Sequence, residues 1–291
     1  MSGRTPYARV TEDREWRLSR KLKSLLHGQL LDLLHDTAPI RRRAAARALA
    51  VRNNDEVFKD CMKLCRSDNP VSREYGAMIL GLLHFPDTPK GEKKRQKASI
   101  QLHALVTGDS RILVRAEAMR ALAICGAELS IMMDAVNKTA CDGSASVRVF
   151  AAFAIGLLDF PGAETALLQL LHDTDRDVRD WAAFAAFQRT YSEESSYDTP
   201  EIRDALLYLT RDSYEKVRFE AFRALGMLRE KRAVPALIRE LGNEEYIFYE
   251  YVEVAGQLGD PSLIPVLETA LERFGDDEEG TLAHTLESLR R

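Results

Sequence analysis

The chain has 291 residues, 45% hydrophobic and 30% charged, with a net charge of −4, a composition that excludes disordered, collagenous and membrane-spanning classes. Its longest uncharged stretches, such as residues 75–86, cover about a dozen positions where a bilayer helix needs ~20. Arg4 and Arg9 without an apolar run read as no secretion signal, and Cys61, Cys65, Cys125 and Cys141 read as reduced thiols of a cytoplasmic protein.

The net charge conceals a gradient. Residues 1–100 hold 21 Lys and Arg against 12 Asp and Glu, residues 101–200 hold 8 against 14, and residues 201–291 hold 12 against 19. Such a field bears on association and steering rather than on fold.

In chain order, the first expected element is a capping helix over about 12–26, followed by a pattern that repeats from residue 36 onward. Anchors fall at Arg41, Ser72, Val114, Val147, Val178, Val217 and Ile247, separated by 31, 42, 33, 31, 39 and 30 residues. One residue after the first six stand Arg42, Arg73, Arg115, Arg148, Arg179 and Arg218. Small residues follow at offsets 4 and 5, as in Ala45-Ala46, Gly76-Ala77, Ala151-Ala152 and Ala182-Ala183. Offset 8 is aliphatic at Leu49, Leu80, Leu122, Ile155 and Leu225, and offset 9 is small at Ala50, Gly81, Ala123, Gly156, Gly226 and Gly256. Five before the anchor come Asp36, Asp109, Asp142, Asp173 and Asp212.

Offsets 0, 4, 5 and 8 share one face of a helix, with Ala or Gly where a neighbouring helix must approach closely. The upstream aspartates, with Ser110, Ser144, Asp175 and Ser213, are suited to capping it. Each anchored helix is the second of a pair, and the amphipathic segments 164–171, 201–209 and 234–241 are first helices. The two long spacings contain Pro-rich and charged segments, 86–97 and 192–200, that read as loops, with the run 93–97 opening a first helix or sitting in the loop before it. The pattern ends in a segment from Leu263 to Phe274 and a last helix over about 277–289. No apolar-polar alternation bounded by turns supports strands. The expected fold is all-α: an α-α superhelix of about seven to eight helix pairs with an N-terminal capping helix. As a single domain over 1–291, it has cap helices at 1–35, repeats at 36–260 and a capping repeat at 261–291.

Pairs of about thirty residues, with Asp ahead of the second helix and Val-Arg opening it, resemble the HEAT repeat in its short bacterial form over nearly the whole chain. The blocks 177–185, 201–204 and 255–267 give a closer resemblance, to bacterial HEAT-repeat proteins encoded beside Rhs polymorphic toxins and regarded as their immunity proteins. That resemblance implies a HEAT-like solenoid that neutralises a cognate toxin domain by binding it. Arg41 and Ser72 depart from the usual Val, and Phe248 replaces the Arg of the seventh unit, which marks the end repeats as the specialised ones.

The six histidines are never followed by Glu, so the His-Glu pairs that mark the di-iron HEAT-repeat hydroxylases are missing. Cys61 and Cys65 stand at i and i+4 without partners at zinc spacing, and read as structural. With no glycine-rich phosphate loop, G-x-S-x-G elbow or H-E-x-x-H, no catalytic residue, metal or cofactor is expected. The aligned arginines could form an anion-binding ladder, but HEAT-like stacks favour bridges to the Asp of a neighbouring repeat.

With the anchored helices lining the binding face, offsets 3 and 6 point outward. Offset 3 reads Ala44, Tyr75, Glu117, Phe150, Trp181, Glu220 and Glu250; offset 6 reads Arg47, Met78, Arg120, Phe153, Phe184, Arg223 and Glu253. The candidate partner-binding residues are therefore Phe150, Phe153, Asp180, Trp181, Phe184, Glu220, Arg223, Tyr249, Glu250 and Glu253, with Tyr246, Phe248 and Tyr251 adding aromatics at the acidic end. The competing reading makes the aromatics core between layers and the carboxylates a solvated face. The expected partner is a toxin domain with a basic face, without membrane. Nucleic acid would need Arg41 to Arg43, Arg47 and the run 93–97 on one surface, which the pattern does not favour. A repair-type or nucleic-acid-binding HEAT protein and a general adaptor or lyase-like chaperone stand as alternatives.

Overall fold

The computed structural model describes residues 6–158, 162–190, 197–242, 249–277 and 279–291, with side chains from residue 14 onward. Among the described residues the regular structure is helical throughout. In chain order the α-helices are α1 (Pro6–Leu22), α2 (His27–Leu33), α3 (Pro39–Arg52), α4 (Asp55–Leu64), α5 (Pro70–Leu82), α6 (Pro89–Gly108), α7 (Ile112–Ile124), α8 (Leu129–Ala140), α9 (Ala145–Leu157), α10 (Glu164–Leu171), α11 (Arg176–Arg189), α12 (Pro200–Leu209), α13 (Glu215–Met227), α14 (Val234–Leu241), α15 (Tyr249–Leu258), α16 (Ile264–Phe274) and α17 (Thr281–Arg290). The fold is the expected all-α solenoid of HEAT-like pairs.

The chain divides into two compact units, Met1–Ala154 and Ile155–Arg291. In the first, α1, α3, α5 and α7 pack side by side as one layer, with α2, α4 and α6 each against its following helix and α8 beside α6. In the second, α11, α13, α15 and α17 form the corresponding layer, with α10, α12, α14 and α16 against them.

Local sequence accounts for the helix ends. Pro39, Pro70, Pro89 and Pro200 open α3, α5, α6 and α12, where their missing N–H costs nothing. Asn54, Asn69, Thr88, Asp175 and Thr199 accept from the first-turn amides. The anchors Val114, Val147, Val178 and Val217 are completely buried, as are Leu80, Leu122, Ile155 and Leu225 one helix face along.

Several boundaries and roles differ from the sequence reading. The capping helix starts earlier and ends earlier, and the last helix starts at Thr281. In the first long spacing residues 83–88 are loop, and Thr88 caps α6, whose 20 residues take in the whole basic run 93–97, Lys, Glu and Arg being good helix formers. Of the second, residues 191–196 lie outside the described set. The upstream aspartates close a turn instead of capping a helix. Asp36, Asp109, Asp142, Asp173 and Asp212 each accept from the amide two residues on, at 2.8–2.9 Å.

The aligned arginines bridge repeats. Arg73 donates through Nε and Nη2 to Asp109 at 2.6 and 3.1 Å, Arg115 to Asp142 at 2.8 and 2.9 Å, and Arg179 to Asp212 at 2.6 and 3.1 Å. Nη1 of each donates to the carbonyl six residues before it, as it does in Arg42, Arg148 and Arg218. One guanidinium thus ties its own turn to the next. Where the next repeat lacks the Asp, the partner changes: Arg42 turns to the Tyr75 hydroxyl at 3.3 Å, Ser67 standing in the Asp position, and Arg218 turns to Glu240 at 2.8 Å, Gly242 standing there.

Partial burial pushes the carboxyls of Asp109, Asp142 and Asp212 up, but the arginines and the turn amides more than offset it and hold them below the usual aspartate range. With the folded value depressed, their contribution is present in full above the ordinary aspartate value of about 4 and is lost as pH falls through the lower folded values. Urea midpoints should therefore change little from pH 7 to 5 and fall below pH 4. The Asp109→Asn, Asp142→Asn, Asp212→Asn triple variant should show a shallower fall, and an equal slope would refute the assignment.

Candidate partner-binding surface

The predicted residues divide between the units. Phe150 and Phe153 lie on α9 in the first, half-buried, with their rings edge to face at 6.3 Å. The others lie in the second. One repeat on, α11 uses the same offsets for Trp181 and Phe184, also half-buried and edge to face at 5.9 Å. A three-residue step on a helix puts two side chains on one face, and the T-shaped contact fixes each ring against the other.

Arg223 on α13 lies 3.8 Å over the ring of Phe187 on α11 and 5.4 Å from that of Phe219 on its own helix. Its Nη1 donates to Glu220 at 3.0 Å. A guanidinium held over an aromatic ring by a carboxylate is positioned without being fully desolvated, since 31% of the Arg223 side chain stays exposed. The role assigned to Glu220 needs correction. It is 8% exposed and engaged by Arg223, so it orients that arginine rather than facing solvent. Offset 3 is also closed at Ala44 and Tyr75, which the neighbouring helices bury.

On α15, Glu250 and Glu253 are exposed, as expected of a solvent-facing acidic patch. Tyr251 is core, with Phe219 at 5.8 Å and Phe222 at 5.4 Å edge to face. Tyr249 is half-buried and its hydroxyl donates to the Gly275 carbonyl at 3.4 Å, while Asp180 on α11 is half-buried. Tyr246 and Phe248 lie outside the described residues. Two participants were missed, Phe187 and Phe219. Phe187 had a signal, because it occupies offset 9, where six other repeats place Ala or Gly.

Charge separates the units further. The first holds 26 Lys and Arg against 17 Asp and Glu; the second holds 15 against 28. Burial pushes the Cys65 thiol up to about 12 and raises Cys61 well above the ordinary thiol range, so both stay protonated packing groups. Among the described residues no three His, Cys, Asp or Glu side chains are grouped as a metal site. No described helix is long and apolar enough to cross a membrane. The arrangement offers aromatic faces, one fixed guanidinium and a carboxylate-rich surround, which is chemistry for recognition.

Comparison with known proteins places this architecture. The family model for the PBS lyase HEAT-like repeat matches residues 217–243, most of α13 and all of α14. Protein YibA of Escherichia coli strain K12 is 31% identical over 289 residues, 98% of each chain, and YibA of Escherichia coli O157:H7 matches to the same extent. The X-ray structure of Escherichia coli YibA aligns with a TM-score of 0.82 at 29% identity, covering 100% of this chain and 99% of that one. A crystal structure of an engineered protein, at TM-score 0.54 and 21% identity over 98% of this chain and 86% of that one, shares the fold alone. The chain belongs to the YibA family of HEAT-like repeat proteins.

Proposed function

We propose that this protein is a cytoplasmic, non-enzymatic immunity protein that binds and neutralises a cognate Rhs-type toxin domain through the second-helix layer of its second unit. The observation that carries the reading is the α11 and α13 surface, where half-exposed Trp181 and Phe184 stand beside the Phe187–Arg223–Glu220 stack in a unit with 28 carboxylates against 15 basic residues. Aromatic anchors with an oriented arginine are the usual energetic centre of a protein interface, and the charge excess favours a partner with a basic face. Glu250 and Glu253, exposed on α15, steer its approach. Occlusion of the toxin's substrate cleft is the simplest inhibitory mechanism. The resemblance to HEAT-repeat proteins encoded beside Rhs toxins supplies the partner class.

Co-expression with a toxin domain encoded next to its gene tests the reading: rescued growth and co-purification are expected, and loss of both outcomes refutes it. In that complex, Trp181→Ala with Glu250→Lys should weaken affinity about 30-fold, the scale of an interface tryptophan worth about 2 kcal/mol. Helicity and melting should stay close to those of the parent protein; collapse of the fold would instead make Trp181 a core residue.

A further inference from the structure

In the first unit α6 packs along α8, and a groove of about 470 Å³ lies between α4 and α6. This is the site of the 42-residue spacing, where the long α6 departs from the period. The groove is clasped at both ends. At one, Asp55 at the start of α4 takes Lys90 at 2.8 Å and also Lys94, both from the first turns of α6. At the other, Arg66 Nε donates to Gln101 Oε1 at 2.8 Å.

Between the clasps the floor is apolar and the rim is basic. Phe58 is held by the edge of Phe85 at 6.3 Å and by Lys94 at 5.4 Å from its ring, and Met62 and Ile100 complete the floor. Ile100 is 57% exposed, a large aliphatic side chain left open in the midst of charge. Lys59, Lys63 and Lys97 stand along the edges. Asp60 is directed to His27 at 2.8 Å and lies 3.4 Å from Lys63, while Lys59 and Lys97 have no carboxylate partner among the described residues.

We propose that the α4 and α6 groove is a docking site for an acidic amphipathic helix of a partner protein, with the apolar face of that helix on Phe58, Met62 and Ile100 and its carboxylates meeting Lys59, Lys63 and Lys97. The fit in length supports a helix. Lys94 and Gln101, the clasp residues of α6, stand seven steps apart, about 10 Å at 1.5 Å per residue, which matches apolar side chains at i, i+3 or i+4, and i+7. The fit in charge supports an acidic one, since the rim is basic and the unit carries nine more basic than acidic residues. The floor distinguishes it from a nucleic-acid track. Phosphate contacts need only the lysines, and bases need open aromatic faces, whereas Met62 and Ile100 offer aliphatic surface. This site does not depend on the aromatic surface of the second unit, and either proposal can fail alone.

The test uses the full chain and a fluorescein-labelled 16-residue helical peptide of Leu, Glu and Ala, with leucines on one face, followed by anisotropy. It should bind at least tenfold more tightly than an isomer of identical composition with leucines spread around the helix. Ile100→Glu should weaken it at least tenfold, and Lys59→Glu with Lys97→Glu should do the same and flatten the salt dependence, while circular dichroism matches the parent protein. Ile100→Gln replaces the charged variant if helicity falls. Absence of saturable binding, equal affinity for the two peptides, or undiminished binding by the variants overturns the proposal. A 12-nucleotide RNA that displaces the peptide and is unaffected by Ile100→Gln would overturn it too, in favour of nucleic acid.

Discussion

Replacing Asp212 with alanine is expected to destabilise the second unit by about 4 kcal/mol, the scale of a buried ion pair deprived of one partner. The Asp212 side chain is 6% exposed and that of Arg179 16%, so water cannot replace the lost carboxylate at Arg179. Two further bonds depend on the same residue. The Tyr214 amide loses its acceptor, and Nη1 of Arg179, held on the Asp173 carbonyl at 2.8 Å, loses the constraint that keeps the guanidinium in plane between two turns. Asp212→Asn retains the turn acceptor and should cost about half as much, since it removes the charge and only one of the two oxygens that Arg179 uses. Because repeats couple chiefly to their neighbours, hydrogen exchange should accelerate in α11 and α13 well before α3. A urea-derived loss below about 1 kcal/mol would place this bridge among solvent-screened surface pairs.

Gly81→Val is expected to cost about 3 kcal/mol in the first unit through overpacking. A Cβ at Gly81 would lie 2.6 Å from the Ala121 Cα and 2.7 Å from its Cβ, and neither atom belongs to a flexible side-chain end. Relief requires α5 and α7 to separate, opening the layer around Leu80 and Leu122, both fully buried. The contrasting substitution is Gly28→Ala in α2, where nothing lies within 4 Å of the new Cβ, and alanine should stabilise the helix by up to about 1 kcal/mol. Thermal melts of the two variants should therefore shift in opposite directions; a harmless Gly81→Val would mean that the α5 and α7 contact is looser than the geometry requires.

Both effects could be located in advance, Asp212 from its place five residues before an anchor and Gly81 from offset 9. The Arg-to-Asp bridging was implied by the resemblance to HEAT-like stacks, whereas the repeat register, the buried anchors and the close helix approaches follow from residues a fixed number of steps apart, because helical geometry converts spacing directly into direction. The YibA-family repeat was legible for that reason. The binding surface was legible only in part. Trp181 and Phe184 stand together as expected, but Glu220 and Glu250, at the same offset in adjacent repeats, differ completely in exposure: Arg223 engages the buried Glu220, while Glu250 is left to solvent.

Phe187 under Arg223 and the groove between α4 and α6 likewise depend on what the next repeat brings opposite. Periodicity by itself determined which way each side chain leaves its helix and hence the fold. Only the tertiary structure decided which outward-facing side chains are covered, paired or left open, because cover depends on the size, charge and spacing of residues some thirty positions away.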